Sequence, residues 1–235
     1  ELSTLGIGPG LRPATAGSLS DAQLQAMRDA VTQGPGKINA NFLAKYLETF
    51  DLLNGWLATT TGTYGTNYRQ RAIVDKVGLG APMPWVSLYP VALFDRTKAP
   101  LTGTKRYVAH FSPETSRPPV RFFWSMTLYD NDGFLVDNEF DRYLINDRSK
   151  PNYNEDGSLD IYVQPDKPAD PRQARNWLPS PPATSATRGF RLITRLYGLS
   201  DKGIKGVVDG TGWHGPSLLP CATDGTTSEG VACAS

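Results

Sequence analysis

Three stretches of this chain set arginine close to tyrosine, joining a planar fixed cation to a ring with apolar faces and a hydroxyl tip. That combination suits recognition of carboxylates and sugars. Residues 62–72, GTYGTNYRQRA, place Tyr64, Tyr68 and Arg71 where a loop opens into a helix, so that backbone amides and a guanidinium could hold an anion or sugar hydroxyls. The same residues have an architectural reading, with Tyr68 in the core, Gly62 and Gly65 serving a turn, and Arg71 paired with Asp75. Arg142 with Tyr143, and Arg195 with Tyr197, repeat the association on extended segments, where arginine stems packed along a sheet are the ordinary alternative. Over residues 120–129, Val120, Phe122, Trp124, Met126 and Leu128 alternate with Arg121, Phe123, Ser125, Thr127 and Tyr129. The second set mixes hydroxyls with aromatics, as a ligand-binding sheet face would, or as a second packed layer with internal hydrogen bonds would.

Other chemistries lack their residues. The only histidines, His110 and His214, are far apart in sequence, and no zinc spacing, P-loop, G-x-S-x-G elbow or dinucleotide fingerprint is present. No cofactor and no metal is therefore expected. The acidic run Asp130, Asp132, Asp137, Glu139 and Asp141 could bind a hard cation or furnish a glycosidase's carboxylate pair, but it lacks the calcium-loop spacing and begins as turn chemistry. Cys221 and Cys233 stand in a Gly, Thr and Ser-rich tail with no other ligand nearby. A local disulfide is expected, and with it export to a secreted or periplasmic location.

The elements that must carry these residues follow from composition and period. Of 235 residues 23 are Gly and 19 Pro, which argues for many short elements, while 39% hydrophobic content is ample for a core. With 24 basic against 23 acidic residues there is no net field to attract a polyanion, which excludes nucleic acid as a main partner. No apolar run is long enough to insert in a membrane. The chain begins at Glu1 without Met, which suggests upstream sequence. Residues 1–19 read as a turn-rich arm. A capping box at Ser20 and Gln23 opens a helix that should stop at Gly34, Pro35 and Gly36. A second helix is expected over 38–53, with Phe42, Tyr46 and Phe50 on one stripe, and a third over 66–77. Alternation then predicts strands over 86–94, 105–111, 120–129, 159–163 and 190–197, with hairpin turns at 130–133 and 154–157. Residues 164–188 read as a long surface loop around Asn176, Trp177, Leu178 and Pro179. The chain is thus divided into an arm and helical region (1–81), a β-sandwich (82–205) and a tail (206–235).

The strings FFWSMTLYDNDGFLVDN, RYLINDRS, NYNEDGSLDIYVQ, NWLPSP and FRLITRLYG, preceded by NGW at 54–56 and GTYGTNYRQRA, occur in this order. In them the chain resembles the bacterial family of paired domains of unknown function 1254 and 1214, over its inter-domain helical region and C-terminal 1214 domain. The resemblance implies a jelly-roll-like antiparallel β-sandwich behind a helical N-terminal third, an α+β protein that is mainly β. It also implies a separate 1254-type partner, as another chain or a lost segment. Carried over residue by residue, the family's motif positions are Trp56, Tyr64, Tyr68, Arg71, Trp124, Ser125, Thr127, Tyr129, Asn138, Arg142, Asn176, Trp177 and Arg195. The family usually has Asp where Asn67 stands, and an asparagine cannot titrate.

The expectation is an exported protein whose aromatic and Arg-lined groove takes a glycan or other polar organic ligand. As an enzyme it would be a hydrolase or lyase, with Tyr64, Tyr68 or a carboxylate among Asp137, Glu139 and Asp141 as acid or base and Arg71 or Arg142 stabilising charge. Trp56, Trp124, Ser125, Thr127, Tyr129, Asn138, Asn176, Trp177 and Arg195 would line the ligand site. The alternatives are a non-catalytic binding module and a structural partner of a 1254-type domain.

Overall fold

The computed structural model describes residues 8–11, 19–185 and 189–234, so most of the expected arm lies outside the described residues. The chain forms two units, Glu1–Ala44 and Lys45–Ser235. Helix α1 (Asp21–Glu48) begins at the predicted capping box: Gln23 N donates to Ser20 Oγ at 3.3 Å and Ser20 N to Gln23 Oε1 at 2.8 Å. The expected stop does not occur, because α1 continues through Gly34, Pro35 and Gly36. An interior proline costs a helix about 3 kcal/mol and each glycine about 1 kcal/mol. With helical sequence on both sides, these residues weaken the helix without ending it.

In the second unit Tyr46 and Phe50 are fully buried, as their stripe predicts. Helix α2 (Tyr68–Gly78) follows, capped by Asn67, whose Oδ1 accepts from Gln70 N at 3.0 Å. Two sheets come next. The first contains β1 (Ser87–Leu88), β2 (Val91–Ala92), β4 (Phe123–Asp130), β5 (Leu144–Asn146) and β8 (Phe190–Tyr197), in the order β1-β8-β4-β5 with β2 also on β8. The second contains β3 (Tyr107–Phe111), β6 (Leu159–Gln164), β7 (Trp177–Pro179) and β9 (Ser217–Pro220), in the order β7-β6-β3-β9. Every pairing is antiparallel except β6 with β7.

Alternation sends Trp124, Met126, Leu128, Leu192 and Leu196 from one sheet, and Tyr107, Ala109, Phe111, Ile161 and Val163 from the other, into one core. Ring contacts cross between the layers, Tyr107 to Phe190 at 5.8 Å and Phe111 to Trp124 at 5.9 Å. Each such side chain contributes roughly 1.5–3 kcal/mol when fully buried. The protein is α+β, with two antiparallel-rich sheets that do not close into a barrel.

Three expectations change. The supposed loop 164–188 contains helix α3 (Pro171–Arg175) and the buried strand β7. Its prolines fit without cost, Pro171 at the first turn of α3 and Pro179 at the end of an edge strand. The supposed tail from 206 instead shares helix α4 (Asp201–Asp209) and supplies β9 to the second sheet. The Cys221–Cys233 disulfide forms, and Val231 and Ala234 pack beside it on Val108 and Tyr162. Finally, the turn after β4 closes with Gly133 N donating to Asp130 O at 3.2 Å, but β5 pairs only after residues 131–143. The turn at 154–157 closes likewise, with no strand immediately before it among the described residues.

Candidate functional site

β4 and β8 pair along eight residues, bringing Phe123 opposite Tyr197, Ser125 opposite Arg195, Thr127 opposite Ile193 and Tyr129 opposite Arg191. Since Trp124, Met126 and Leu128 point into the core, these partners occupy the outer face. Ser125 and Thr127 form its floor, only 3% and 2% exposed, beneath the half-buried side chains of Phe123, Tyr129, Arg191, Arg195 and Tyr197. The face thus sets small hydroxyl residues beneath long polar or aromatic side chains.

Arg195 organises one end. Its Nη1 donates to Thr127 Oγ1 at 2.7 Å, its Nη2 donates to the Tyr129 hydroxyl, and its guanidinium carbon lies 5.7 Å from the Tyr129 ring centroid. At the other end Phe123 and Tyr197 stack at 4.4 Å with 15° between their planes, and Arg148 stands 5.2 Å over Phe123. Tyr89 adds its ring edge-on to Tyr197 at 6.5 Å, with the two hydroxyls 3.3 Å apart. That hydroxyl contact, then burial, raises the Tyr197 pKa, with Arg195 opposing. Tyr197 therefore stays a protonated donor at neutral pH. The face offers donors, hydroxyls and apolar ring surface, which is the chemistry of polar ligand recognition.

The other expected site residues lie elsewhere. Trp56 is 1% exposed, its Nε1 donating to Pro216 O at 2.8 Å, and Trp124 lies in the shared core. Trp177 is equally buried, donating from Nε1 to Gln164 O at 2.8 Å. None of these indoles presents a face to a ligand; all three fill the interior, and Trp56 and Trp177 also tie backbone. Asn176 holds Asn152 from both ends of its amide and donates also to Asp160 O at 2.9 Å. Asn138 closes its own loop, its Oδ1 accepting from Arg142 N at 3.1 Å and its Nδ2 donating to Arg142 O at 3.2 Å. Arg142 donates from Nη1 to Ala174 O at 3.1 Å and from Nη2 to Arg175 O, satisfying carbonyls at the end of α3. Burial, and next the Arg175 charge, lower its pKa. Tyr68 and Arg71 are exposed on α2, with Tyr64 in the preceding loop, and Asn67 serves as the helix cap. The sheet face thus gathers Ser125, Thr127, Tyr129 and Arg195 of the expected set.

Two features were not singled out from sequence. Arg191 shares the outer face with Arg195, which the alternation of β8 could have shown. On the second sheet His110 Nδ1 and Asp160 Oδ1 are 2.6 Å apart, and Asn154 Nδ2 donates to Asp160 Oδ2 at 2.8 Å. Only the β3–β6 register brings that pair together. Among the described residues no group of three or more His, Cys, Asp or Glu is placed to hold a metal ion. No described helix is long and apolar enough to cross a membrane.

Residues 86–201 match the family described as "Protein of unknown function (DUF1214)". No curated protein matches the sequence. Among solved structures, the chain is similar to the VPA0106 protein from Vibrio parahaemolyticus, at 22% identity over 89% of this chain and 48% of that one, with a TM-score of 0.54. It is also similar to an uncharacterized protein from Burkholderia cenocepacia, at 12% identity over 88% and 43%, with a TM-score of 0.39. The first likeness shows a shared fold. The chain spans about half the length of the solved structures it matches.

Proposed function

We propose that this protein is a non-catalytic binding module that takes a glycan-like polar ligand on the outer face of the β4–β8 sheet. The observation that carries the reading is the Arg195 guanidinium, fixed by Thr127 and Tyr129 above a floor of hydroxyl residues and beside stacked aromatic rings. Sugar rings present apolar faces to aromatics and hydroxyls to fixed donors, so both halves of such a ligand are matched. A binding role is favoured over hydrolysis or elimination because Arg142 is committed to backbone carbonyls and, among the described residues, no carboxylate is paired with Arg195. The disulfide supports export.

The test is a glycan array probed with the native protein and with Arg195→Gln. Retention of one glycan class by the native protein, lost in the variant, is the expected result; equal retention by both, or by neither, overturns the reading. A second reading, as a contact surface for a separate 1254-type domain, is favoured by Trp85 and Phe122, 60% and 64% exposed. They gather at one end of the sheet, where Gly198 bonds Val86 O and Arg121 N. Native mass spectrometry of protein from its source checks this by showing, or failing to show, a second chain.

A further inference from the structure

Charge is segregated on the proposed ligand face. The chain as a whole carries +1, yet Arg121, Arg148, Arg191 and Arg195 stand on or beside this face, and none is in an ion pair among the described residues. Neither of the nearby carboxylates Asp130 and Asp147 is paired with these arginines among the described residues. Asp130 Oδ1 accepts from Phe134 N at 2.8 Å, and Asp147 Oδ1 accepts from Arg148 N at 3.0 Å.

The cations are arranged in two groups. Arg191 pairs with Tyr129 in the β4–β8 register, and Arg195 reaches that tyrosine's hydroxyl, so both arginines belong to this end of the face. Arg191 is held under the turn after β4: a Cβ on Gly133 would lie 2.6 Å from its Nη2. Its buried Nε has no hydrogen-bond acceptor among the described residues. At the far end Arg148 lies over Phe123, four residues along β4 from Thr127, to which Arg195 donates, so the two rows are about 13 Å apart at the rise of an extended strand. Between the two groups run Phe123, Tyr197 and the Ser125–Thr127 floor.

Resting on the reading of this face as a glycan site, we infer that its ligand is an acidic polysaccharide whose uronate carboxylates engage Arg191 and Arg195 at one end and Arg148 at the other. Uncompensated guanidinia call for anions with planar, bidentate acceptors, which carboxylates provide. Rows about 13 Å apart exceed the reach of one small organic acid and call for a chain on which carboxylates repeat. The rings between the cations take the apolar faces of the intervening sugars.

Calorimetry with hexagalacturonate, its fully methyl-esterified form and citrate tests the inference. The acid is expected to bind at least about tenfold more tightly than the ester, with affinity falling as salt is raised, because the discriminating contacts are ionic. Arg191→Gln and Arg148→Gln should each weaken the acid by a larger factor than the ester, and thermal melts confirm that both variants fold. Equal affinity for acid and ester overturns the inference while leaving a neutral-glycan site in place. Binding of citrate alone makes this a free-acid site and overturns it as well. Failure of all three ligands overturns it; a glycan array then decides separately whether the sheet face binds sugar.

Discussion

The guanidinium of Arg195 reaches from the row of Ser125 to the hydroxyl of Tyr129 and lies 5.7 Å from that ring's centroid. Each side chain therefore fixes the other, and both are held before a ligand arrives. Such preorganisation lowers the ordering cost of binding.

Tyr129→Phe keeps the ring and removes the acceptor that orients Arg195. Loss of one side-chain hydrogen bond costs about 1 kcal/mol, so affinity for hexagalacturonate should fall by roughly fivefold while the fold persists. Calorimetry and a thermal melt on the same preparation check this. Unchanged affinity would mean that Arg195 is positioned without Tyr129.

His110 links pH to stability. Its pKa is raised, first by the hydrogen bond to Asp160 and further by the charges of Asp160, Glu229 and Asp156, with burial opposing. A group whose folded pKa exceeds its unfolded value stabilises fully below the unfolded value, about 6.5 for histidine, and loses that contribution as pH rises through the folded value. Melting temperature should therefore decline from mildly acidic to alkaline pH across this window, and Asp160→Asn should flatten the decline. Superimposable profiles for the two proteins would remove the linkage.

The Cys221–Cys233 bridge closes a sequence separation of 12 and holds the chain end against Val108 and Tyr162. Replacing both cysteines by alanine should cost about 3 kcal/mol in the chain-entropy account. Chemical denaturation with and without reductant measures it. An unchanged midpoint would show that packing of Val231 and Ala234 alone secures the terminus.

Gly215 is fixed by close approach to an indole. A Cβ there would meet the Trp56 ring at 2.4 Å, so Gly215→Ala should destabilise by about 1–3 kcal/mol through overpacking. Gly34→Ala is the contrast, since nothing lies within 4 Å of its Cβ position, inside α1. Helix propensity makes that change favourable by about 1 kcal/mol. Equal melting temperatures for the two variants would contradict the packing assigned to Trp56.

Residues with strict alternation were legible in the sequence. β8 is found over 190–197 as expected, and β4 places Ser125, Thr127 and Tyr129 on the outer face that their period predicts. Proline and glycine misled where other interactions outweighed local preference: α1 passes through Pro35, and β7 accommodates Pro179 as an edge strand. Burial misled for a different reason. Trp56, Trp177 and Asn176 resemble ligand-binding residues by type, but their polar atoms bond backbone that lies far away in sequence or is buried. Pairs such as His110 with Asp160 exist only through sheet register, which no local pattern encodes.

The central claim is that ligand binds the outer face of the β4–β8 sheet. Titrating isotope-labelled protein with hexagalacturonate and its methyl ester, and following backbone and side-chain NMR signals, tests it most directly. The account predicts saturable shifts at Thr127, Tyr129, Ile193 and Arg195, with Val108, His110, Asp160 and Tyr162 on the opposite sheet unmoved. Saturable shifts confined to that opposite sheet, or none with either glycan, would contradict it.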